Sequence, residues 1–422
     1  MNKIVKYFID ILIFVVAIWI LYLEKMDFLL FLRLCALCIF YYCIKQSFKQ
    51  KNIVNIYTLF AITPFSLFIY SAKFSPRYLM ELKDSTWIIA ILNIVAFLLA
   101  YKIARFKTRI PSKYLLTQED RKKLRLHIYI LGGLSILPFI FMKIGLAIPL
   151  RSFMYFFSYI GLAMAFKLKE KKMIAIAFAF ILVSFSIDFD KNKVMTLAIC
   201  TFVCCEAYLV RTVSDKRKMI FACLAGALFM ILVAFPLKDY LRNGGTYYEF
   251  VQNHSHISDE AFEMLTERMY FNGPEFLKMP IMYIISPWNN LQYVMETQQW
   301  HTYGLWTLKP FINYLGLESN VEAAYNLESY SSFNTFTYIT VGYKDFGYWG
   351  SIIISILLGI YVKFVFSRNQ KNGSVFDVAT CGLVGMAVFQ MFFNNHFFMQ
   401  SYPFTIFIAG YVYKKVFHLK KY

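Results

Sequence analysis

The chain alternates between apolar runs of about twenty residues and short polar segments, and a helix of that length crosses a bilayer. The runs lie near 4–23, 27–45, 53–72, 86–104, 126–145, 148–166, 173–187, 193–210, 218–238, 349–366, 376–394 and 401–417. This pattern predicts an all-α polytopic membrane protein of about twelve transmembrane helices. Helices one to nine would occupy residues 1–238, a large loop residues 239–348, and helices ten to twelve with a tail residues 349–422.

The basic residues decide the predicted orientation. They cluster in alternate loops, which the twelve-helix pattern puts on one side of the membrane, and Lys and Arg favour the cytoplasmic side. Both termini are therefore expected in the cytoplasm and the loop 239–348 outside. The clusters are Lys45, Lys49 and Lys51; residues 102–125; Lys167, Lys169, Lys171 and Lys172; Arg211, Lys216, Arg217 and Lys218; and Lys414, Lys415, Lys420 and Lys421.

Composition excludes two broad classes. With 59% hydrophobic and 16% charged residues and a mean hydropathy of +0.51, the chain does not fit a soluble globular protein. Its net charge of +19 does not indicate nucleic acid, because the basic residues already follow the membrane pattern. All eight cysteines lie inside apolar runs, so neither a disulfide framework nor a zinc site is expected. The first run is too long for a cleaved signal peptide and is predicted as a spanning helix.

The loop 239–348 reverses the charge of the chain, with twelve acidic and five basic residues. Ser258 followed by two acidic residues and an apolar stripe predicts an amphipathic helix over 259–271. The following apolar stretch 276–285 is only ten residues long and contains Pro280. We predict it as a re-entrant or interfacial segment, because it is too short to span. The loop is thus expected to be a large, partly helical periplasmic cap.

Charged and polar side chains near the outer ends of spans are the candidates for chemistry. Arginine grips phosphate oxygens bidentately, so basic residues from several outer segments could hold a diphosphate-bearing lipid. Each candidate also has a structural reading: a headgroup contact for Arg151, a self-neutralised turn for 188–193, a solvated helix face for Arg268, a cap of the tenth helix for Asp345, and a polar interface position for His396. The full set is Arg151, Lys191, Lys193, Arg242, Arg268, Asn334, Lys344, Asp345, Asn395 and His396.

Several catalytic signatures are missing from the sequence. It contains no glycine-rich phosphate loop, no HExxH and no GxSxG. The first outer loop, 24–27, is too short for the acidic pair that membrane glycosyltransferases using polyprenyl monophosphate sugars carry there. The scattered acidic residues form no plausible metal cage, so we expect a metal-independent mechanism without a cofactor.

One segment has a recognisable pattern. It reads Asn334-Thr335-Phe336-Thr337-Tyr338, then Asp345-Phe346-Gly347-Tyr348-Trp349-Gly350, with Gly359 further along the predicted span 349–366. The segment resembles the O-antigen polymerase family, the Wzy type of oligosaccharide repeat unit polymerase, and the predicted topology is similar to that family's. A departure is the lysine pair Lys191 and Lys193, where many members have an Arg-Thr pair; a lysine would provide a point charge instead of a bidentate contact.

The resemblance implies a reaction at the outer face of the bacterial inner membrane. A growing glycan would pass from undecaprenyl diphosphate to the non-reducing end of another lipid-linked repeat unit. Arg242 and Arg268, helped by Arg151 and Lys193, would hold the leaving diphosphate, and Asp345 or His396 would receive the acceptor proton. Implied partners are lipid-linked oligosaccharides, membrane lipids and a chain-length regulator protein. The alternatives are a glycan ligase of related architecture and a polysaccharide flippase or transporter.

Overall fold

The computed structural model describes most of the predicted helical core. Its described residues are 28–50, 52–70, 81–106, 116–143, 156–187, 191–210, 212–229, 275–298, 300–314, 335–369 and 373–393, with Phe397, Tyr411, Tyr413 and Lys415. Within these ranges the secondary structure is helical and no strand occurs. The predicted amphipathic helix 259–271, the predicted span 4–23 and most of 401–417 lie outside the described residues.

Thirteen helices follow one another in the described part of the chain. They are α1 (Phe28–Lys49), α2 (Ile56–Phe60), α3 (Ile62–Tyr70), α4 (Asp84–Ile103), α5 (Gln118–Lys143), α6 (Phe157–Leu168), α7 (Lys171–Ile187), α8 (Lys191–Tyr208), α9 (Val213–Phe229), α10 (Glu275–Thr297), α11 (Leu305–Tyr314), α12 (Tyr338–Arg368) and α13 (Val375–Phe389).

Three of these helices, α1, α4 and α12, are long and apolar enough to cross a membrane. Shorter apolar helices cover Ile56–Tyr70, Phe157–Leu168 and Val375–Phe389. The all-helical class is therefore confirmed for the described residues, and three of the predicted windows are matched by helices of spanning length. The full set of twelve spans remains a prediction.

Helices α4 and α12 pack closely against each other. A Cβ added at Gly359 would lie 2.5 Å from the Phe97 carbonyl oxygen, so glycine allows the two backbones to approach closely. Asn93 of α4 donates to Ser351 Oγ (3.1 Å) and accepts from Ser355 Oγ (2.5 Å), which joins the helices through buried polar groups. Helix α12 of this pair also contacts α10 and α11.

The end of the bundle that we predict to be cytoplasmic carries its own polar anchors. Glu206, which is buried in α8, accepts from the backbone N–H groups of Ile53 and Val54 and so fixes the entry to α2. Arg125 makes a bidentate contact with Glu170, at 2.9 and 2.8 Å. These hydrogen bonds lower the pKa of the Glu170 carboxyl.

The segment after Gly273-Pro274 differs from the sequence prediction. The predicted short segment 276–285 is instead the first part of α10, a continuous helix of 23 residues that runs through Pro280 and Pro287. The sequence prediction ended at Ile285 because polar residues follow. In the structure Trp288, Leu291 and Val294 are buried, so packing continues the helix beyond the apolar run. Whether α10 is re-entrant or interfacial stays a prediction.

Candidate functional site

Asp345 ties α12 to the segment before α11. Its side chain is fully buried, and Oδ1 accepts from Thr302 Oγ1 (2.5 Å) and the Trp306 N–H (3.0 Å). Oδ2 accepts from the N–H (2.6 Å) and the hydroxyl (2.5 Å) of Thr307. Because the N–H groups belong to the first turn of α11, Asp345 caps that helix from a distant part of the chain.

This arrangement corrects the predicted cap. Sequence reasoning made Asp345 a cap of the helix predicted from 349, but its carboxylate accepts from N–H groups in the first turn of α11, so the helix capped is α11. A carboxylate offers about four lone-pair positions, and four donors occupy them here. The geometry therefore gives Asp345 a positioning role.

Backbone hydrogen bonds complete the same connection. The Thr302 N–H donates to the Lys344 carbonyl (3.1 Å), and the Tyr303 N–H donates to the Asp345 carbonyl (3.0 Å). The Gln298 side-chain amide also donates to the Lys344 carbonyl (3.0 Å). We call this set of contacts between residues 298–307 and 344–345 the latch.

The latch coincides with a break inside α12. Gly347 has φ +68° and ψ −157°, a backbone conformation that is available almost only to glycine. A Cβ there would also lie 3.0 Å from His301 Nε2. Gly347 thus redirects the chain where the carbonyl groups of Lys344 and Asp345 turn toward residues 302 and 303.

His301 is a candidate that sequence reasoning did not select. The half-buried imidazole has Nδ1 2.7 Å from Gln298 Nε2, and its ring meets Tyr343 edge-on at 6.2 Å. Its Nε2 faces the Gly347 backbone. The latch therefore holds an imidazole against the backbone of Gly347, although nothing in the linear pattern distinguishes His301 from the other histidines of 239–348.

A second group of buried polar side chains lies on α10. We call Ser286, Asn289, Asn290 and Gln292 the amide row, and all four are at most 2% exposed. Asn290 donates to the Thr335 carbonyl (2.7 Å) and Ser286 lies 2.9 Å from Thr335 Oγ1, three residues before α12. The amide row therefore adjoins the end of α12 that carries the latch.

The amide row also reaches the first helices of the chain. The Tyr70 hydroxyl donates to Asn289 Oδ1 (3.0 Å), and Gln292 bonds the backbone of Glu81 (2.8 Å) and Lys83 (2.7 Å). The Trp288 indole N–H donates to Ser66 Oγ (2.9 Å). Sequence reasoning missed this group, but a signal was available: a Trp-Asn-Asn step directly follows an apolar run. Polar side chains inside membrane proteins are costly and often functional.

Arg33 was also missed. It lies in α1 within the predicted span 27–45, and it is only 7% exposed. A charged residue inside an apolar run is a signal that sequence alone provides.

Of the predicted site residues, Lys344 and Asp345 are neighbours in the latch. Lys193 lies in the first turn of α8 and Lys191 is that helix's first residue, so both belong to a helix and not to the preceding turn.

A chain of contacts links the first turn of α8 to α12: Gln390 Nε2 lies 3.9 Å from Met195 Sδ, and Met391 O accepts from the Tyr338 N–H (2.9 Å). These contacts connect the first turn of α8, through the end of α13, to the first residue of α12, the helix that carries Lys344 and Asp345. Arg151, Arg242, Arg268, Asn334, Asn395 and His396 lie outside the described residues.

The described residues contain no group of three or more His, Cys, Asp or Glu side chains that could hold a metal ion. Comparisons with protein-family models, with curated proteins and with solved structures found no match to this chain.

Proposed function

We propose that this protein polymerises lipid-linked oligosaccharide repeat units at the outer face of the bacterial inner membrane. In this proposal the chain crosses the membrane about twelve times, with both termini in the cytoplasm and residues 239–348 in the periplasm. The bond between the donor's anomeric carbon and undecaprenyl diphosphate breaks, and that carbon bonds to a hydroxyl of the acceptor unit. The acceptor hydroxyl loses its proton.

One observation carries the proposal: the segment that resembles the polymerase family has a defined structural role at four of its motif positions. Asp345 caps α11, Gly347 breaks α12, and Gly359 permits contact with α4. Thr335 bonds the amide row. A chance match in sequence would not be expected to fall on residues that join an outer segment to a helix of spanning length.

The amide row gives structural support. Its amide and hydroxyl side chains are buried and bond to protein groups, so they would brace a glycan site beside the latch and would not themselves contact sugar. Lys191 and Lys193 add positive charge at the N-terminus of α8, where backbone N–H groups also favour anions.

Residue roles follow from these placements. Arg242 and Arg268, with Arg151, Lys191, Lys193 and Lys344, would hold the leaving diphosphate, and Asn334 and Asn395 would contact sugar hydroxyls. Because four donors occupy the Asp345 carboxylate, His396 is the better candidate for receiving the acceptor proton, and Asp345 would position the latch. Charge stabilisation of the diphosphate would supply most of the rate.

Deletion of the gene in the native host, with surface glycan resolved on a gel, tests the proposal. A single repeat unit in place of a ladder is the expected result. Unattached polymer would instead identify a ligase, and loss of all surface glycan with lipid-linked units trapped inside would identify a flippase.

Complementation then tests the arginine roles. The Arg242→Ala/Arg268→Ala protein should fail to restore the ladder, whereas Arg217→Ala, a change in a predicted cytoplasmic loop, should restore it. An unchanged ladder from the double variant at normal protein level would remove these arginines from the mechanism.

A further inference from the structure

Large apolar side chains are exposed around the latch. Trp300, Tyr303, Leu308, Phe346 and Trp349 form what we call the outer aromatic surface, and Tyr303 and Trp349 are 80% and 73% exposed. Phe346 lies against Gly304, where a Cβ would be 3.2 Å from its ring, so the two segments of the latch share this surface. Exposed aromatic groups of this size mark a surface that contacts something other than water.

The surface continues down α12 as an aliphatic stripe. Below Trp349 the exposed side chains are Ile353, Ile356, Leu357 and Ile360, which recur at the three- and four-residue spacing of one helix face. The exposed apolar side chains end at Ile360, and the next basic residues are Lys363, whose amine lies 4.8 Å from the Tyr101 ring, and Arg368, which pairs with Asp377. From Trp349 a helix rises about 21 Å to Lys363 and about 28 Å to Arg368, so these two cations lie toward the far side of a hydrocarbon core that is roughly 30 Å thick.

Cations also accompany the aromatic groups. Lys344 Nζ lies 5.4 Å from the Trp300 ring, and Lys309 Nζ lies 4.7 Å from the Trp306 ring. Trp and Tyr concentrate at membrane interfaces, and lysine amines at that depth meet lipid phosphates. A glycan platform would require hydrogen-bonding groups between the rings, whereas Leu308 and Phe346 provide none.

We propose that the outer aromatic surface docks into the headgroup layer of the outer leaflet. The latch transmits this anchor to α11, so the segment 300–314 is held at the level of the lipid phosphates. This inference rests on the membrane placement in the proposed function and not on the polymerase reaction. A substrate carried by a lipid diphosphate presents its reacting bond at the level of the lipid phosphates. The hydrogen bonds of the latch would therefore hold the segment 300–314 at the depth where that bond lies.

Tryptophan quenching tests the proposal. The full chain is placed in nanodiscs of phosphatidylethanolamine and phosphatidylglycerol, either with lipids brominated near the headgroup or with iodide in the water. Trp300→Phe and Trp349→Phe, singly and together, should each remove part of the lipid-quenched emission and leave the iodide-quenched emission unchanged. Trp87→Phe is the matched control, because Trp87 is only 2% exposed and its loss should alter neither quenched component.

Two results would overturn the docking. If Trp300 and Trp349 are quenched by iodide but not by brominated lipid, the surface faces water, as a glycan platform would. If neither quencher reaches them, another part of the chain covers the surface. Fluorescence quenching requires no enzyme turnover, so a result that contradicts the docking does not contradict the polymerase proposal. Conversely, a wild-type glycan ladder after gene deletion would contradict the polymerase proposal and not the docking.

Discussion

The Asp345 carboxylate accepts a hydrogen bond from the backbone N–H of Trp306, 39 residues earlier in the chain. A helix cap is normally a local feature, supplied by the residue just before the first turn. Here the cap is tertiary, so the start of α11 is stable only when α12 is in place. Folding of the segment 302–314 and packing of the bundle are therefore coupled.

Asp345→Asn should destabilise the protein by about 1–3 kcal/mol, because one oxygen becomes a donor that faces the N–H and hydroxyl of Thr307. Thermal unfolding in detergent measures the loss. Thr307→Val removes the hydroxyl that donates to Asp345, so it should reproduce part of this loss of stability. It should also reproduce part of any loss of glycan polymerisation that Asp345→Asn causes. If the Asp345→Asn protein is inactive but as stable as wild type, and the Thr307→Val protein is fully active, then Asp345 takes part in the chemistry instead.

Gly347→Ala should cost about 1–3 kcal/mol, because its φ of +68° excludes a side chain and a Cβ would approach His301. Gly133→Ala is the control, since a Cβ on that helical glycine meets nothing within 4 Å and should be neutral or slightly stabilising. Equal stability of the two variants, measured by thermal unfolding, would contradict the left-handed backbone conformation of Gly347.

Gly359→Val should separate α4 from α12, because even a Cβ would lie 2.5 Å from the Phe97 carbonyl oxygen. Overpacking of this kind typically costs about 1–3 kcal/mol. The unfolding midpoint should fall, and a cysteine crosslink between α4 and α12 should form more slowly than in the parent. Gly226→Ala, where a Cβ meets nothing within 4 Å, should leave both readouts unchanged.

Asn93→Leu should weaken the same helix pair by about 0.6 kcal/mol and by no more than about 1.7 kcal/mol, the average and the maximum for polar contacts between membrane helices. It removes the donor to Ser351 Oγ and the acceptor for Ser355 Oγ. The double variant Asn93→Leu/Ser355→Ala should lose less unfolding free energy than the sum of the losses in the two single variants. Strict additivity would mean that the two side chains do not interact.

The Arg125–Glu170 contact should give a pH-dependent stability. Hydrogen bonds from Arg125 lower the pKa of the Glu170 carboxyl below its ordinary 4.5, so the contribution is present above that value and disappears as pH falls through the lowered pKa. Glu170→Gln should therefore unfold slightly earlier than wild type at pH 7, and the two midpoints should converge in acid. Because the pair is exposed, the effect should be small and weaken with salt.

Sequence could predict the helical class and the windows that become α1, α4 and α12, because hydropathy over twenty residues depends only on local composition. It could also select Lys344 and Asp345, whose charges interrupt a mostly apolar region. It placed the end of α10 too early, since the apolar run stops at Ile285 before Ser286 and Pro287, whereas packing carries the helix onward to Thr297. The position of Arg33 inside an apolar run is also visible in the sequence.

The sequence by itself determined that this protein is built from apolar helices, and it predicted that charges near the ends of those helices carry its chemistry. Only the tertiary structure decided what Asp345 does, where α12 breaks and which side chains meet the amide row. The physical reason is that a hydrogen-bond partner distant in sequence is chosen by how helices pack. Thr302, Trp306 and Thr307 reach Asp345 only because α12 begins at Tyr338 and turns at Gly347.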